Sequence, residues 1–252
     1  MYIELKEKAL RAALKAGKPS FYEHHGKELA ESLSSYSASS LIRICRSQLD
    51  ESKLHPAHGI FHCEKVALEA GAILAIEGSA MGLDAFIISE LVLCVQIAGL
   101  LHDIKRAGNE HTIAGSKEAA VILRDFPMED RYKSYIVSAI RNHEAFKEVL
   151  DSDDESAKLI SDSLYDADKF RWGPDNFTVT LWLIMESTGL TPEKLCQCFN
   201  EKMEGIKKIK ETFRTKTGRK YGPEFIDKGI MIGNEIYREM RCRIGGQNDL
   251  NY

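Results

Sequence analysis

Apolar residues recur every three or four positions along most of the chain, with polar residues between them. This spacing gathers the apolar side chains on one face of an α-helix. The alternating pattern of half-buried strands is absent, so the sequence predicts an all-α fold. The predicted helices span residues 3–16, 24–33, 37–50, 59–77, 82–104, 110–125, 129–145, 155–171, 175–188, 192–212 and 223–241.

One predicted helix is almost entirely apolar and ends in two polar residues. Gln96 is the one strongly polar side chain between Leu91 and Leu101, and His102 and Asp103 follow directly. An imidazole and a carboxylate that are buried without partners cost free energy. We therefore expect groups that satisfy this polar pair to converge on the end of the helix.

Four further side chains that can bind metal lie on or beside the inward faces of other predicted helices. His62 shares an apolar stripe with Val66, and His143 shares one with Ile140. The four side chains are His62, His111, His143 and Asp168. One or two buried cations would satisfy all of them together with the polar pair. Imidazole and carboxylate suit Fe, Mn, Ni, Co or Zn, so the sequence predicts a site for a divalent transition metal, with one or two ions.

Length, composition and charge narrow the class of protein. The 252 residues, 44% hydrophobic and 29% charged, fit one compact domain with an extension or two small domains. The net charge of −4 argues against general nucleic-acid binding.

We expect neither a signal peptide nor a membrane span, because no apolar stretch has the required length. The six scattered cysteines form no CxxC pair, so we expect reduced thiols and a cytoplasmic location.

The order of these histidines and carboxylates resembles the H…HD…D signature of the HD-domain superfamily. The matching residues are His62, His102-Asp103 and Asp168. The segment HGIFHCEKV, residues 58–66, is similar to the family's HxxxHxxRV, with Lys65 where arginine is usual. The segments LLHDI, AIRNHE and DADKF are similar to the family's other conserved segments. The resemblance covers about residues 55–172.

This resemblance implies a fold and an activity. The fold is an HD-domain helical bundle over residues 55–172 with a metal at its centre, an N-terminal extension over 1–54 and a C-terminal extension over 173–252 that packs on the core. The activity is metal-dependent hydrolysis of a small phosphorylated molecule, with a nucleotide as the preferred substrate. The oligomeric state is left open, a homodimer included.

The resemblance also implies the ligands of the first metal. They are His62, His102, Asp103 and Asp168. Asp166 competes for the last position. Asp168 is preferred because Leu164 precedes it by one helical turn and Lys169 follows it, as in the family.

A second metal depends on two further histidines. His111 and His143 resemble the positions that hold the second ion in two-metal members of the superfamily. Such members often have a pair of histidines where this chain has Asn142-His143. The sequence therefore leaves open whether one ion or two are bound.

Phosphate-ester hydrolysis needs an activated water and cations that face the phosphoryl oxygens. A bound metal lowers the pKa of water toward about 7, and Asp103 could orient that water. His58 is interpreted as a substrate-facing residue, and either His58 or His143 could protonate the leaving oxygen. The cations that flank the ligands are Lys105 and Arg106, which we expect near the reacting phosphate, and Lys169 and Arg171, which we expect to bind substrate.

Two rival functions fit the same pattern. The superfamily includes di-iron oxygenases with the six-ligand order H…HD…H…H…D, and a non-catalytic, metal-stabilised sensor domain would use a similar site. Oxygen uptake would identify the first rival, and binding without turnover the second.

The segment FRWGPDNF, residues 170–177, also has two interpretations: a wall for a nucleobase, or packing between the extension and the bundle.

Overall fold

A computed structural model describes residues 2–108 and 110–248, with side chains in the last helix as far as Ile244. Within these residues every regular element is a helix, which confirms the all-α prediction. No described helix combines the length and the apolar character needed to cross a membrane. The α-helices are α1 (Tyr2–Ala16), α2 (Phe21–His24), α3 (Gly26–Ala38), α4 (Ser40–Ser47), α5 (Ile60–Ala80), α6 (Ala85–Leu101), α7 (His111–Leu123), α8 (Asp130–Arg141), α9 (Glu155–Phe170), α10 (Leu181–Thr188), α11 (Pro192–Ile209) and α12 (Lys216–Asn248).

Helices α5 and α6 form the centre of the bundle and approach each other closely. A Cβ atom on Gly99 of α6 would lie 2.5 Å from the Cα of Ala67 on α5, so only glycine fits at this contact. Helix α9 packs on both central helices, α8 packs on α6 and α9, and α7 packs on α8. Because neighbours surround α6, nearly all its side chains from Leu91 to Leu101 are buried, which explains the apolar run.

The N-terminal helices cover one side of the central pair. Helix α3 packs on α5 and α6, and α1 packs on α12. The amide of Gln96, on α6, donates hydrogen bonds to the backbone oxygen of Ser32 at 2.9 Å and to its hydroxyl at 3.0 Å. The amide nitrogen of the single polar residue in the apolar run is thus satisfied by α3, whereas its buried amide oxygen has no hydrogen-bond partner among the described residues.

The predicted break between residues 33 and 37 is wrong, because α3 continues to Ala38. The chain turns instead at Ser39, which has an extended backbone and accepts a hydrogen bond from the backbone N–H of Ile42. This is an N-cap arrangement, and it starts α4. Serines occupy several positions in this segment, and the pattern of apolar residues alone does not distinguish the capping serine from the others.

The last helix begins seven residues before the predicted start at residue 223, so Pro223 lies inside it. The hydroxyl of Thr215 accepts a hydrogen bond from the backbone N–H of Gly218 at 2.8 Å and caps the new start. Tertiary hydrogen bonds from Thr215 and Thr217 hold the same turn against the bundle. These contacts outweigh the backbone hydrogen bond that proline cannot donate.

Residues 214–217, where α12 begins, are hydrogen-bonded to one buried carboxylate on α9 and to another on α5. The backbone N–H groups of Arg214 and Thr215 donate to Asp166 on α9, both at 2.8 Å. The backbone N–H and the hydroxyl of Thr217 donate to Glu77 on α5 at 2.7 and 2.6 Å. The C-terminal helices are therefore attached to the two helices that carry His62 and Asp168.

Candidate metal centre

The histidines and carboxylates that the sequence selects come together at one place in the bundle. His62 lies on α5, Asp168 lies near the end of α9, and His102-Asp103 follows α6. His143 lies just beyond α8, and His111 is the first residue of α7. The side chains are at most 9% exposed. Three helices and the ends of two others thus deliver six potential ligands to a buried cluster.

Backbone carbonyls fix the orientation of two imidazole rings. The Nδ1 atom of His102 lies 2.8 Å from the carbonyl oxygen of Gly99, and that of His143 lies 2.7 Å from the carbonyl oxygen of Ile140. A carbonyl oxygen only accepts hydrogen bonds, so Nδ1 carries the proton in both rings. The Nε2 atoms face the cluster and are free to bind a cation, which is the usual arrangement for histidines that bind metal.

Four ligand atoms form a first group. The Nε2 atoms of His62 and His102 are 3.2 Å apart, and Oδ1 of Asp168 lies 3.4 Å from the first and 3.7 Å from the second. Oδ2 of Asp103 lies 3.4 Å from Nε2 of His102. Atoms that bind one ion at ~2.0–2.2 Å lie roughly 3–3.5 Å from each other, so this group could hold one ion with little movement.

The other oxygen of Asp103 faces a second group of imidazoles. Oδ1 of Asp103 lies 3.4 Å from Nε2 of His143 and 3.8 Å from Nε2 of His111. This oxygen is buried and has no hydrogen-bond partner among the described residues. A buried oxygen without a donor favours a cation. The carboxylate of Asp103 therefore lies between two sets of nitrogen atoms, as a bridging ligand would.

His111 is the least committed member of the second group. Its ring nitrogens lie 3.0 and 3.2 Å from the guanidinium of Arg106. Among the described residues, three sets of three side chains bring their ligand atoms within 4.8 Å of one another. These sets include His58, His62, His102, Asp103, His143 and Asp168, but none includes His111. The first position is thus more complete than the second.

The electrostatic environment keeps most of the rings neutral and the carboxylates charged. Burial lowers the pKa of His62 and of His111 to about 4, and it also lowers the pKa of His143. Burial opposes the ionisation of Asp103, but His102 and the other nearby rings hold its pKa well below the usual range. Neutral imidazoles and an ionised carboxylate are the forms that bind metal.

His102 is the exception among the rings. Burial favours its neutral form, but the carboxylates of Asp103 and Asp168 outweigh burial and raise its pKa to about 10. Without a metal, the cluster therefore holds a proton on His102 that partly balances two buried negative charges. A divalent cation would provide that balance directly, so the donor set fits a metal.

The two aspartates that competed for the last ligand position have different partners. Asp168 points into the cluster, as the distances to His62 and His102 show. The carboxylate of Asp166 is occupied by donors from residues 214 and 215, on the opposite side of α9. The structure thus brings Asp168, and not Asp166, to the cluster.

The predicted cations lie in different environments. Arg106 lines the cavity above the cluster, and its Nε lies 3.9 Å from Oδ2 of Asp103. Lys105 is exposed, lies 3.4 Å from Glu118, and does not line the cavity. The structure therefore places Arg106, and not Lys105, beside the cluster. His58 also lines the cavity, with Nδ1 2.8 Å from Oδ2 of Asp103.

Lys169 and Arg171 are buried in ion pairs at the edge of the cavity. Lys169 donates to the carboxylate of Asp168 and, at 3.0 Å, to the backbone oxygen of His143. Arg171 donates to the carboxylates of Glu69 and Asp175. Both cations are thus matched by protein carboxylates, and they fix the positions of neighbouring side chains.

The cluster forms one end of a cavity of about 570 Å³, a volume within the usual range of small-molecule sites. Its other walls include side chains of α10 and α11 that the sequence did not single out. The apolar spacing of these helices does not distinguish a face that lines a cavity from one that packs in a core. In the segment FRWGPDNF, Phe170 is stacked on Phe225 with ring centroids 4.0 Å apart, whereas Trp172 and Phe177 line the cavity.

Comparisons of the chain with protein-family models, with curated proteins and with solved structures found no match. The helical bundle with its buried histidine and aspartate cluster is compatible with an HD-like fold. Any assignment of function therefore depends on the residues of this chain and their geometry.

Proposed function

We propose that the protein is an HD-type, metal-dependent phosphohydrolase that cleaves a small phosphate ester. The observation that carries this proposal is the position of Asp103. One of its oxygens faces His62 and His102, the other faces His143, and the whole group lies at one end of a cavity. A purely structural metal site is closed and needs no such cavity, which argues against the sensor function.

Each residue of the cluster has a place in this proposal. The first ion would be held by His62, His102, Asp103 and Asp168, and a second ion would add His111 and His143. Bound metal supplies Lewis acidity, which lowers the pKa of a water and polarises the phosphoryl group. Which metal the site prefers stays open among Fe, Mn, Ni, Co and Zn, since imidazole and carboxylate suit them all.

The protein side chains would then position and protonate the substrate. Arg106 offers a guanidinium on the cavity wall, which can pair with phosphate oxygens. Asp103 can orient the attacking water in line with the bond that breaks. His58 is partly exposed to the cavity, 2.8 Å from Asp103, and can donate a proton to the oxygen that leaves phosphorus. The nucleotide preference remains a prediction from the resemblance.

A di-iron oxygenase is the second candidate. The two carboxylate oxygens of Asp103 face different groups of imidazoles, which is also the arrangement that a ligand bridging two irons would need. The contact of His111 with Arg106 weighs against it, since a second iron would have to displace that guanidinium. An oxygenase would take up O₂ in the presence of substrate, whereas a phosphohydrolase would release inorganic phosphate without O₂.

The test begins with the metal content of protein purified after growth with Fe, Mn, Ni, Co and Zn. Phosphate release from a panel of esters, including p-nitrophenyl phosphate, is then measured with each metal under air and under nitrogen. We expect bound metal and phosphate release in both atmospheres. No phosphate release with any metal would overturn the proposal, and substrate-dependent O₂ uptake would favour the oxygenase.

A further inference from the structure

The lining of the cavity has two chemically different parts. The cluster and Arg106 form a polar part, and side chains of α10 and α11 form an apolar wall. The wall consists of Leu181, Ile184, Leu195, Phe199, Met203 and Ile206. These side chains offer no hydrogen-bond donor or acceptor, so they favour contact with hydrocarbon over contact with a polar group.

The charges near the cluster suit a single phosphate group. Lys169 is paired with Asp168, and Arg171 is paired with Glu69 and Asp175. Arg106 also lines the cavity, but its nearest carboxylate among the described residues, that of Asp103, lies 3.9 Å away. Its guanidinium is therefore less closely paired than the charged groups of Lys169 and Arg171. A chain of several phosphates carries more negative charge than this environment offsets.

A nucleobase would find few partners on the apolar wall. Bases carry several donors and acceptors, and each one that is buried without a partner costs binding free energy. Outside the cluster and its flanking residues, the polar side chains that line the cavity are Asn176, Thr180 and Lys202. A hydrocarbon, by contrast, gains free energy along the whole wall.

We propose that the substrate is a phosphate monoester of an apolar alcohol, with its phosphate at the cluster and its hydrocarbon against α10 and α11. This inference rests on the proposed phosphohydrolase function, and it names a substrate class different from the nucleotide that the resemblance to the HD-domain superfamily implies. In the reaction, the oxygen of water forms a bond to phosphorus while the bond from phosphorus to the ester oxygen breaks. The ester oxygen takes a proton, and the products are the alcohol and inorganic phosphate.

The proposal predicts how the rate depends on chain length. Burying one methylene contributes about 0.8 kcal/mol, which corresponds to a factor of about four. In the metal-loaded enzyme, kcat/KM should therefore rise up to about fourfold for each methylene from ethyl to octyl phosphate, until the wall is covered. Octyl phosphate should also be a better substrate than nucleoside monophosphates, which contain the same phosphate group.

A pair of variants tests the wall itself. Ile184 is partly buried and lines the cavity, whereas Val179 is 51% exposed and does not line it. Ile184→Ser should lower the ratio of kcat/KM for octyl phosphate to that for ethyl phosphate by about tenfold, because several buried carbons are lost. The control, Val179→Ser, should leave this ratio unchanged. A general loss of folding would lower both rates and leave the ratio unaffected.

The outcomes separate this inference from the function on which it rests. Phosphate release that is independent of chain length, or that is fastest with nucleoside monophosphates, would overturn the apolar substrate and leave the phosphohydrolase intact. An unchanged ratio in Ile184→Ser would also overturn it. Absence of release from every ester, with every metal, would overturn both.

Discussion

His62 and His102 lie forty residues apart in the chain, yet their Nε2 atoms face each other at 3.2 Å in the centre of the bundle. Two ring nitrogens at this distance repel each other unless a proton or a cation lies between them. Burial keeps His62 neutral with a pKa of about 4, and the neighbouring carboxylates keep His102 protonated with a pKa of about 10. Metal-free protein thus fills this place with a proton.

Metal binding should therefore release a proton. At pH 7–8 the ring of His102 is protonated in the metal-free protein, and it must lose this proton to bind an ion. We expect about one proton released for the first ion, and an affinity that rises by up to about tenfold per pH unit until pH approaches 10. Isothermal titration calorimetry in buffers of different ionisation enthalpy measures both quantities.

The same pKa has a consequence for the stability of the metal-free protein. The pKa of His102 is higher in the folded chain than its value of about 6.5 in the unfolded chain, so the folded chain binds more protons between these values. The stabilisation is complete below about pH 6.5 and is lost as pH rises toward 10. Thermal unfolding of metal-free protein should show this fall, and His102→Gln should remove it.

Asp103→Asn should abolish phosphate release and weaken metal binding while the helices persist. Asparagine has nearly the same shape, but it removes the negative charge and puts an amide nitrogen where one carboxylate oxygen was. Loss of a ligand or water-orienting carboxylate costs on the order of 10²-fold or more in rate. Phosphate release is the measurement, with circular dichroism as the check on folding.

The matched control for this substitution is Asp153→Asn, at an exposed aspartate outside the cluster. It should retain the activity and metal content of the parent. If Asp103→Asn also turned over within about threefold of the parent, Asp103 would not belong to the site.

Asp166→Asn and Asp168→Asn should have different effects, although the two aspartates are only two positions apart in the sequence. Asp168→Asn should lower metal content, because its oxygen lies in the first group of ligand atoms. Asp166→Asn should keep the metal but lower the free energy of unfolding by about 1–3 kcal/mol, since buried N–H groups lose an acceptor. Elemental analysis and urea denaturation measure the two effects, and equal metal loss in both variants would contradict the assignment.

His111→Ala and His143→Ala should distinguish one ion from two. Both side chains face Oδ1 of Asp103, so if both bind a second ion, each substitution should lower the metal stoichiometry while the ion held by His62 and His102 stays. Metal per chain is measured by elemental analysis. A stoichiometry of one in the parent that neither substitution changes would exclude the two-metal form.

Gly99→Ala should test the close packing that brings α6 to α5. The added Cβ would lie 2.5 Å from the Cα of Ala67, so the helices must move apart, and we expect a loss of about 1–3 kcal/mol in the free energy of unfolding. The control is Gly205→Ala on α11, where a Cβ meets no atom within 4 Å. This control should stabilise the protein by about 0.5–1 kcal/mol, because alanine favours helix more than glycine does.

The sequence predicted the cluster well because each member lies on the apolar stripe of a helix or at its end. His62 follows the spacing of Val66, and His102-Asp103 ends the apolar run, so helical geometry alone directs these side chains inward. The choice of Asp168 over Asp166 also agrees with the structure. It rested on Leu164, which lies on the same face of α9.

Other features depend on contacts between residues distant in the chain, and the sequence pattern does not contain them. Lys105 and Arg106 are adjacent, and only the turn after α6 determines which one faces the cavity. The early start of α12 depends on carboxylates of α5 and α9, which lie far away in sequence. The apolar face of α11 follows the same helical spacing as a core face, so the cavity beside it was not predicted.

The hydrogen bonds from residues 214–217 to Glu77 and Asp166 bear on how the molecule opens. If α12 detached, two buried carboxylates on α5 and α9 would lose their donors, so the opening of α12 is coupled to the stability of those two helices. We therefore expect amide protons of α5, α9 and the start of α12 to exchange with solvent deuterium in one concerted event. Residues 55–172 would then be part of a larger cooperative unit, and an excised fragment with these limits should exchange rapidly throughout.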